Sequence, residues 1–213
     1  MKFEQRVTGL ERKAIASVIA EVLNVPVNYA GAPSFAYEAG GWSVDKSSIL
    51  RSPDFPAEDL QTIKTVFDAL KAAGVSAEGN AHVVVSAEGH TETSLLNLKN
   101  LITSKGTLIK KALGINGGLS VTKNEEWLIF PFYKATINAE DIFAYITFSL
   151  KLSEQAKTLK HAYAREKEAE NEKYAFRCFL LRLGFIGDEY KPQRKALLSR
   201  LDGNGAFKKY IKK

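Results

Sequence analysis

Polar and apolar residues alternate from Lys2 to Val7, a period of two that predicts a half-buried strand. Thr8 then stands where a helix N-cap would. Ile15, Val18, Ile19, Val22 and Leu23 recur at helical spacing, which predicts a helix over 10–23 with one buried stripe. Short strands are expected over 25–29, 34–38 and 42–45, separated by Ala30-Gly31-Ala32-Pro33 and by Gly40-Gly41, both of which suit turns. Pro53 and Pro56 bracket a loop into a helix over 57–73, which Gly74 closes.

The same order then recurs. Residues 82–85 read as a β-branched strand. A helical pattern follows over 93–113, with Leu95, Leu98, Ile102, Leu108, Ile109 and Ala112 on its apolar positions, Gly106 as a candidate break and Gly114 as its end. Residues 119–122 and 127–133 predict a hairpin across Lys123-Asn124-Glu125-Glu126, and a helix starts near Ala139. Ala57-Glu58-Asp59-Leu60 and Ala139-Glu140-Asp141-Ile142 open the last helix of each half with the same acidic turn, which complements the helix dipole. The expected fold class is therefore α+β, with two pseudo-symmetric strand-helix-strands-helix repeats, about 1–77 and 80–150. They would form an antiparallel sheet with helices on one face. This order within each repeat is similar to that of the TATA-box-binding-protein saddle, a likeness of topology that carries no function with it.

The helical pattern does not stop at residue 150. Ile142, Tyr145, Ser149, Leu152, Ala156, Leu159 and Tyr163 follow the spacing of a coiled-coil seam, and no Gly or Pro interrupts the chain before Gly184. A continuous helix over 139–169 would be roughly 46 Å long. Its seam needs a cover: the chain's own C-terminal helices first, a second copy in a homodimer as the lesser alternative, or a foreign partner. Residues 165–173 are charged all round and read as solvated. A helical hairpin is expected next, from Glu172 to Leu183 with Gly184 as its cap, then from Pro192 with Ala196, Leu197, Leu198 and Leu201 inward and Arg194, Lys195 and Arg200 outward. Phe185 and Ile186 would tuck beneath the turn, and Phe207 would pin the tail. The chain thus divides into a duplicated core, 1–150, and a basic helical extension, 151–213.

Charge adds a second asymmetry. Residues 1–150 hold 14 Lys+Arg against 16 Asp+Glu, whereas residues 151–213 hold 16 against 8, so all the excess of the net +6 is C-terminal. An acidic partner follows, either nucleic acid or an acidic protein face. Arg177, Arg182, Lys191, Arg194, Lys195, Arg200, Lys208 and Lys209 are the candidate nucleic-acid contacts, with Lys105, Lys110 and Lys111 as a second patch. The turn between the two helices does not match the short helix-turn-helix spacing, and Arg177 or Arg182 could instead cap carbonyls or pair with Glu170 and Glu189. No apolar run approaches the ~20 residues of a membrane-spanning helix, and no signal peptide is evident, so a cytoplasmic, non-membrane protein is expected. The lone cysteine, Cys178, is expected to pack in the core.

Motifs for chemistry are missing from the sequence. His82, His90 and His161 lack metal-ligand spacing, so no metal site is expected. Ser104-Lys105-Gly106-Thr107 has phosphate-binding residue types in the wrong order for a P-loop, and Gly114-Ile115-Asn116-Gly117-Gly118 falls short of a dinucleotide fingerprint. No cofactor and no enzymatic activity are expected.

The run NEKYAFRCFLLRLGFIG over 171–187, followed by Glu189-Tyr190-Lys191 and Arg194-Lys195, resembles a group of small proteins encoded on integrative elements and prophages of gut Firmicutes and labelled "virulence-associated". Residues 105–114, KGTLIKKALG, and the strand Ile129-Phe130-Pro131-Phe132 match as well, so the likeness spans nearly the whole chain. It implies a mobile-element accessory protein and brings neither a catalytic residue nor a known ligand. Two partners are open: nucleic acid at the basic extension, or a protein, as for an inhibitor of a host defence nuclease such as a CRISPR effector or a component of mobilisation machinery. In the second case the long-helix seam and the aromatics Tyr190 and Tyr210 would make the contact.

Overall fold

Phe3, Gln5 and Val7 turn their side chains to one face of the first strand and Lys2, Glu4 and Arg6 to the other. The computed structural model, which describes residues 1–56 and 59–207, builds its sheet outward from this strand. The first half of the chain contributes β1 (Lys2–Thr8), α1 (Arg12–Leu23), β2 (Asn28–Tyr29), β3 (Tyr37–Ala39), β4 (Trp42–Val44), β5 (Ile49–Arg51) and α2 (Leu60–Ala72). The remainder supplies β6 (Ser76–Ser86), α3 (Glu92–Thr103), α4 (Gly106–Leu113), β7 (Thr122–Lys123), β8 (Trp127–Lys134), α5 (Ala139–Thr158), α6 (Glu172–Arg182) and α7 (Lys191–Leu198). The eight strands of the described residues form one sheet in the order β2-β3-β4-β5-β1-β6-β8-β7, every neighbouring pair antiparallel. The fold is α+β, and among the described residues no helix is long and apolar enough to cross a membrane.

Register decides which side chains enter the core. Phe3 lies opposite Val83, and Val83 opposite Phe130, so these three make one inward row; Gln5 joins Leu50 and Ala81 in the next. Buried Gln5 is satisfied rather than stranded, since its amide nitrogen donates to the Thr136 carbonyl at 2.8 Å and its oxygen accepts the Thr136 N–H at 3.0 Å. Phe67 of α2 packs edge-on against both Phe3 and Trp42, with ring centroids 5.7 Å apart in each case. The opposite face carries Lys2, Glu4, Arg6, Arg51, Glu78 and His82, and its charges pair across strands: Arg6 with Glu78 at 3.2 Å, Arg51 with Glu4 at 3.1 Å.

Several boundaries differ from the sequence pattern for local reasons. Thr8 ends β1 rather than capping α1, because Gly9 takes a positive φ of 96° to turn the chain and the helix begins at Arg12 behind Glu11. A Cβ on Gly9 would lie 2.5 Å from the Gly74 carbonyl oxygen, so this close approach requires glycine. Strand β5 escapes the pattern because three residues carry no periodicity; its pairing with β1 defines it. Strand β6 starts at Ser76, well before the β-branched run, with an irregular register where the polar Glu78-Gly79-Asn80 segment passes Arg6. Gly106 does separate two helices, α3 and α4. Of the acidic opening at 57–60, Ala57 and Glu58 lie outside the described residues.

The continuous helix over 139–169 does not form. Helix α5 ends at Thr158, where Leu159 adopts an extended conformation. Asn97 of α3, 1% exposed, intervenes: its amide nitrogen donates to the Leu159 carbonyl at 2.7 Å and its oxygen accepts the Ala162 N–H at 2.8 Å. Asn100 donates to the Ala162 carbonyl at 2.9 Å. These side chains satisfy backbone groups that a continuing helix would have paired internally, so the chain leaves the helix without stranding them. Residues 159–170 run as an irregular strap, and Tyr163 of the expected seam is exposed.

The seam that does form is covered by the chain itself. Phe148 of α5 packs against Phe176 and Phe179 of α6 at centroid distances of 6.1 and 6.4 Å, and Leu197 and Leu201 close the layer from α7 and its C-terminal end. Asn171 caps α6 by accepting the Tyr174 N–H, and it donates to the Phe207 carbonyl at 2.7 Å. Such contacts with the backbone, not the Phe207 ring, hold the tail, and the ring is exposed. Phe185 is buried as expected, whereas Ile186 points out. Cys178 is half-buried beside the aromatic arc rather than inside it.

Candidate functional site

Folding engages several of the basic side chains in internal contacts. Arg194 of α7 turns back and donates to the carbonyls of Phe185 and Gly187 at 2.9 and 2.8 Å, fastening the turn between α6 and α7. Arg177 donates to the Gly205 carbonyl at 3.3 Å, and Arg200 to that of Ala112 at 3.2 Å, at the C-terminal end of α4 where carbonyls lack helical partners. Lys111 bridges Glu172 at 2.7 Å and Asp202 at 2.8 Å, tying α4 to α6 and the tail. These four hold the extension together. Lys191 and Lys195 are exposed on α7, and Lys208 and Lys209, with Tyr210, lie outside the described residues.

Lys105 and Arg182 are brought together. Lys105 sits in the turn before α4 and is half-buried; burial lowers the proton affinity of its ammonium, the charge of Arg182 lowers it further, Glu166 opposes and Lys167 adds to the depression. Arg182 of α6 and Lys167 of the strap are thus near enough to Lys105 for their charges to act on it, with Glu166 as the opposing charge. That carboxylate is already engaged, because it accepts the backbone N–H of Thr107 at 2.8 Å and the Thr107 hydroxyl at 3.2 Å.

On α4, Lys110 faces a groove of about 710 Å³ between the α3–α4 pair and residues 119–123, within the range of ~300–1,000 Å³ usual for ligand clefts. Half-buried Leu95, Leu119 and Val121 offer apolar surface to it, above the more deeply buried Leu98, Ile102 and Leu128. Lys99, Lys110 and Lys123 line it, together with Glu166.

Two polar clusters lie elsewhere. His90 bridges α3 and α5, with Nδ1 2.9 Å from the Ser94 hydroxyl and Nε2 2.8 Å from that of buried Ser153. Burial, then the charges of Lys157 and Lys123, push its pKa below the ordinary value. A smaller cleft holds Asp141, Tyr145 and Arg200. Burial raises the Asp141 carboxyl against the pull of Arg200, and burial together with Asp141 pushes the Tyr145 phenol up to about 12.

Lys99, Lys123, Glu166 and Lys167 were not singled out by sequence, nor was the pairing of His90 with Ser153. Lys99 carried a usable signal, standing one residue from the apolar positions of a predicted helix; the others depend on where the irregular strap and the edge strand fall. Among the described residues no three His, Cys, Asp or Glu side chains cluster as metal ligands. No family model matches the chain, and no curated protein matches it.

Proposed function

We propose that this protein is a non-enzymatic accessory binding protein of a mobile element. It would work as a cytoplasmic monomer and contact nucleic acid phosphates through the cations around Lys105 and Arg182, extended by Lys191 and Lys195 of α7. The observation that carries this reading is that Arg182, Lys191 and Lys195 stay exposed while Arg177, Arg194 and Arg200 grip carbonyls; burial and Arg182 also disfavour the charge of Lys105, a cost that a phosphate would relieve. Arg177, Arg194, Arg200 and Lys111 serve internal contacts and belong to the scaffold of this surface. The open face of the sheet is a poorer candidate, since its cross-strand ion pairs balance its charge. Coverage of the α5 seam by α6 and α7 favours the monomer over the homodimer.

The fold within this proposal is a duplication. What supports it is correspondence within the sheet: β1 and β6, the first strands of each half, pair with each other, and β5 and β8, the last strands before α2 and α5, flank them. Helices α2 and α5 also pack against each other. A pseudo-twofold axis between β1 and β6 accounts for all three relations, the order that the saddle likeness implies.

The test is fluorescence anisotropy with duplex and single-stranded oligonucleotides over a salt series. Micromolar binding that weakens steeply with salt is expected. A Lys105→Glu/Arg182→Glu variant should bind at least about tenfold more weakly and reduce the salt slope by about two. Binding that is absent at low salt, or unchanged in the variant, would count against the surface.

A further inference from the structure

The groove beside α4 has a wall that the nucleic-acid surface does not use. Residues 119–121 lead into β7, the last strand of the sheet, which pairs with β8 on one side only. Successive residues of an extended segment point to opposite faces, and register places Thr122 beside Ile129 on the outer face and Lys123 beside Leu128 on the inner one. All five residues 119–123 nevertheless border the groove. Thr122 and Lys123 are thus both the edge strand of the sheet and part of the border of the groove. Among the described residues the N–H groups of Leu119, Ser120 and Val121 donate to no protein acceptor.

We propose that this groove binds an extended acidic peptide of a partner protein, which adds a strand beyond β7. Its backbone would pair with the free edge, as in strand-addition complexes. Alternate apolar side chains would rest on the surface of Leu95, Leu119 and Val121, and acidic ones would meet Lys99, Lys110 and Lys123. Charge complementarity selects the peptide: three lysines border the groove, and Glu166, the one carboxylate there, is bound to Thr107. An apolar lining flanked by a free backbone edge suits a polypeptide better than a polyphosphate chain, which offers no amide ladder to pair with. The groove shares Glu166 with the Lys105–Arg182 surface but none of that surface's cations, so the triple variant below and Lys105→Glu/Arg182→Glu test the two separately.

The probe is a fluorescein-labelled peptide of about eight residues alternating glutamate with valine or leucine, long enough for an ordinary edge strand. It would be titrated into the full-length protein. Saturable binding is expected, weakened at least about tenfold by Lys99→Glu/Lys110→Glu/Lys123→Glu and abolished when alternate peptide amides are N-methylated to block pairing. The N-methylated peptide leaves the protein untouched, so a folding defect in the variant cannot produce that loss. Amide exchange at residues 119–123 should slow on binding. Lack of binding at about millimolar peptide, equal binding of a lysine-for-glutamate peptide, or indifference to N-methylation would overturn the proposal. So would displacement of the peptide by a single-stranded oligonucleotide that itself loses affinity in the triple variant, since the groove would then be a nucleic-acid site.

Discussion

The Glu166 carboxylate accepts the Thr107 backbone N–H at 2.8 Å and the Thr107 hydroxyl at 3.2 Å, so the first turn of α4 is capped from 59 residues away. Lys105, in the N-cap position, supplies no side-chain bond. A carboxylate at a helix start satisfies an unpaired donor and faces the positive end of the dipole. It also anchors the strap that replaces the expected long helix.

Replacing Glu166 by alanine should therefore lower stability by about 0.5–2 kcal/mol, toward the low end because the contact is exposed. Glu166→Gln keeps an acceptor and should cost less. Urea denaturation of the two variants measures both, and equal midpoints for wild type and Glu166→Ala would show that the contact contributes nothing.

Arg194 and its neighbour Lys195 separate scaffold from surface. Arg194→Ala removes two bonds to the carbonyls of the α6–α7 turn and should cost about 1–3 kcal/mol. Lys195→Ala should stay within about 0.5 kcal/mol of wild type, as exposed substitutions usually do. Chemical denaturation distinguishes the two, and a large effect at Lys195 would mean that it has an internal role of its own.

Thr147 is buried in α5, and among the described residues its hydroxyl has no hydrogen-bond partner. Burying such a group is costly, and valine has nearly its shape. Thr147→Val is expected to leave stability unchanged or raise it by up to about 1 kcal/mol, read as the melting temperature; a clear loss would reveal a partner for the hydroxyl.

His90 gives stability a pH dependence of known sign. Burial, then Lys157 and Lys123, hold its folded pKa below the unfolded value of 6.5. The unfolded chain therefore takes up the proton first, and stability present above the unfolded pKa is lost as pH falls through the folded one. Wild type should lose more stability between neutral and mildly acidic pH than His90→Gln, in urea titrations at matched ionic strength. Parallel curves would exclude His90 as the source.

The strongly periodic segments were legible because their signal is local. Alternation in Lys2–Val7, the 3.6 period of α1, the break at Gly106, and the aromatic arc of Phe176 and Phe179 all read directly from residue spacing. The basic candidates were legible as residue types, but their roles were not. Arg194 and Lys195 are adjacent in sequence, yet one grips carbonyls and the other faces solvent, because the turn at Phe185 and Gly187 comes within reach of only one of them.

By itself the sequence determined the α+β class, the core stripes of its regular helices and the basic bias of the C-terminal third, since each depends on the identity and spacing of nearby residues. Tertiary structure alone decided where α5 stops, because Asn97 competes for backbone groups 62 residues away. It also decided which cations remain available and that the sheet ends in a free edge beside a lysine-bordered groove. Those outcomes turn on hydrogen bonds and charge pairs between distant segments, and such pairs exist only once the chain has closed on itself.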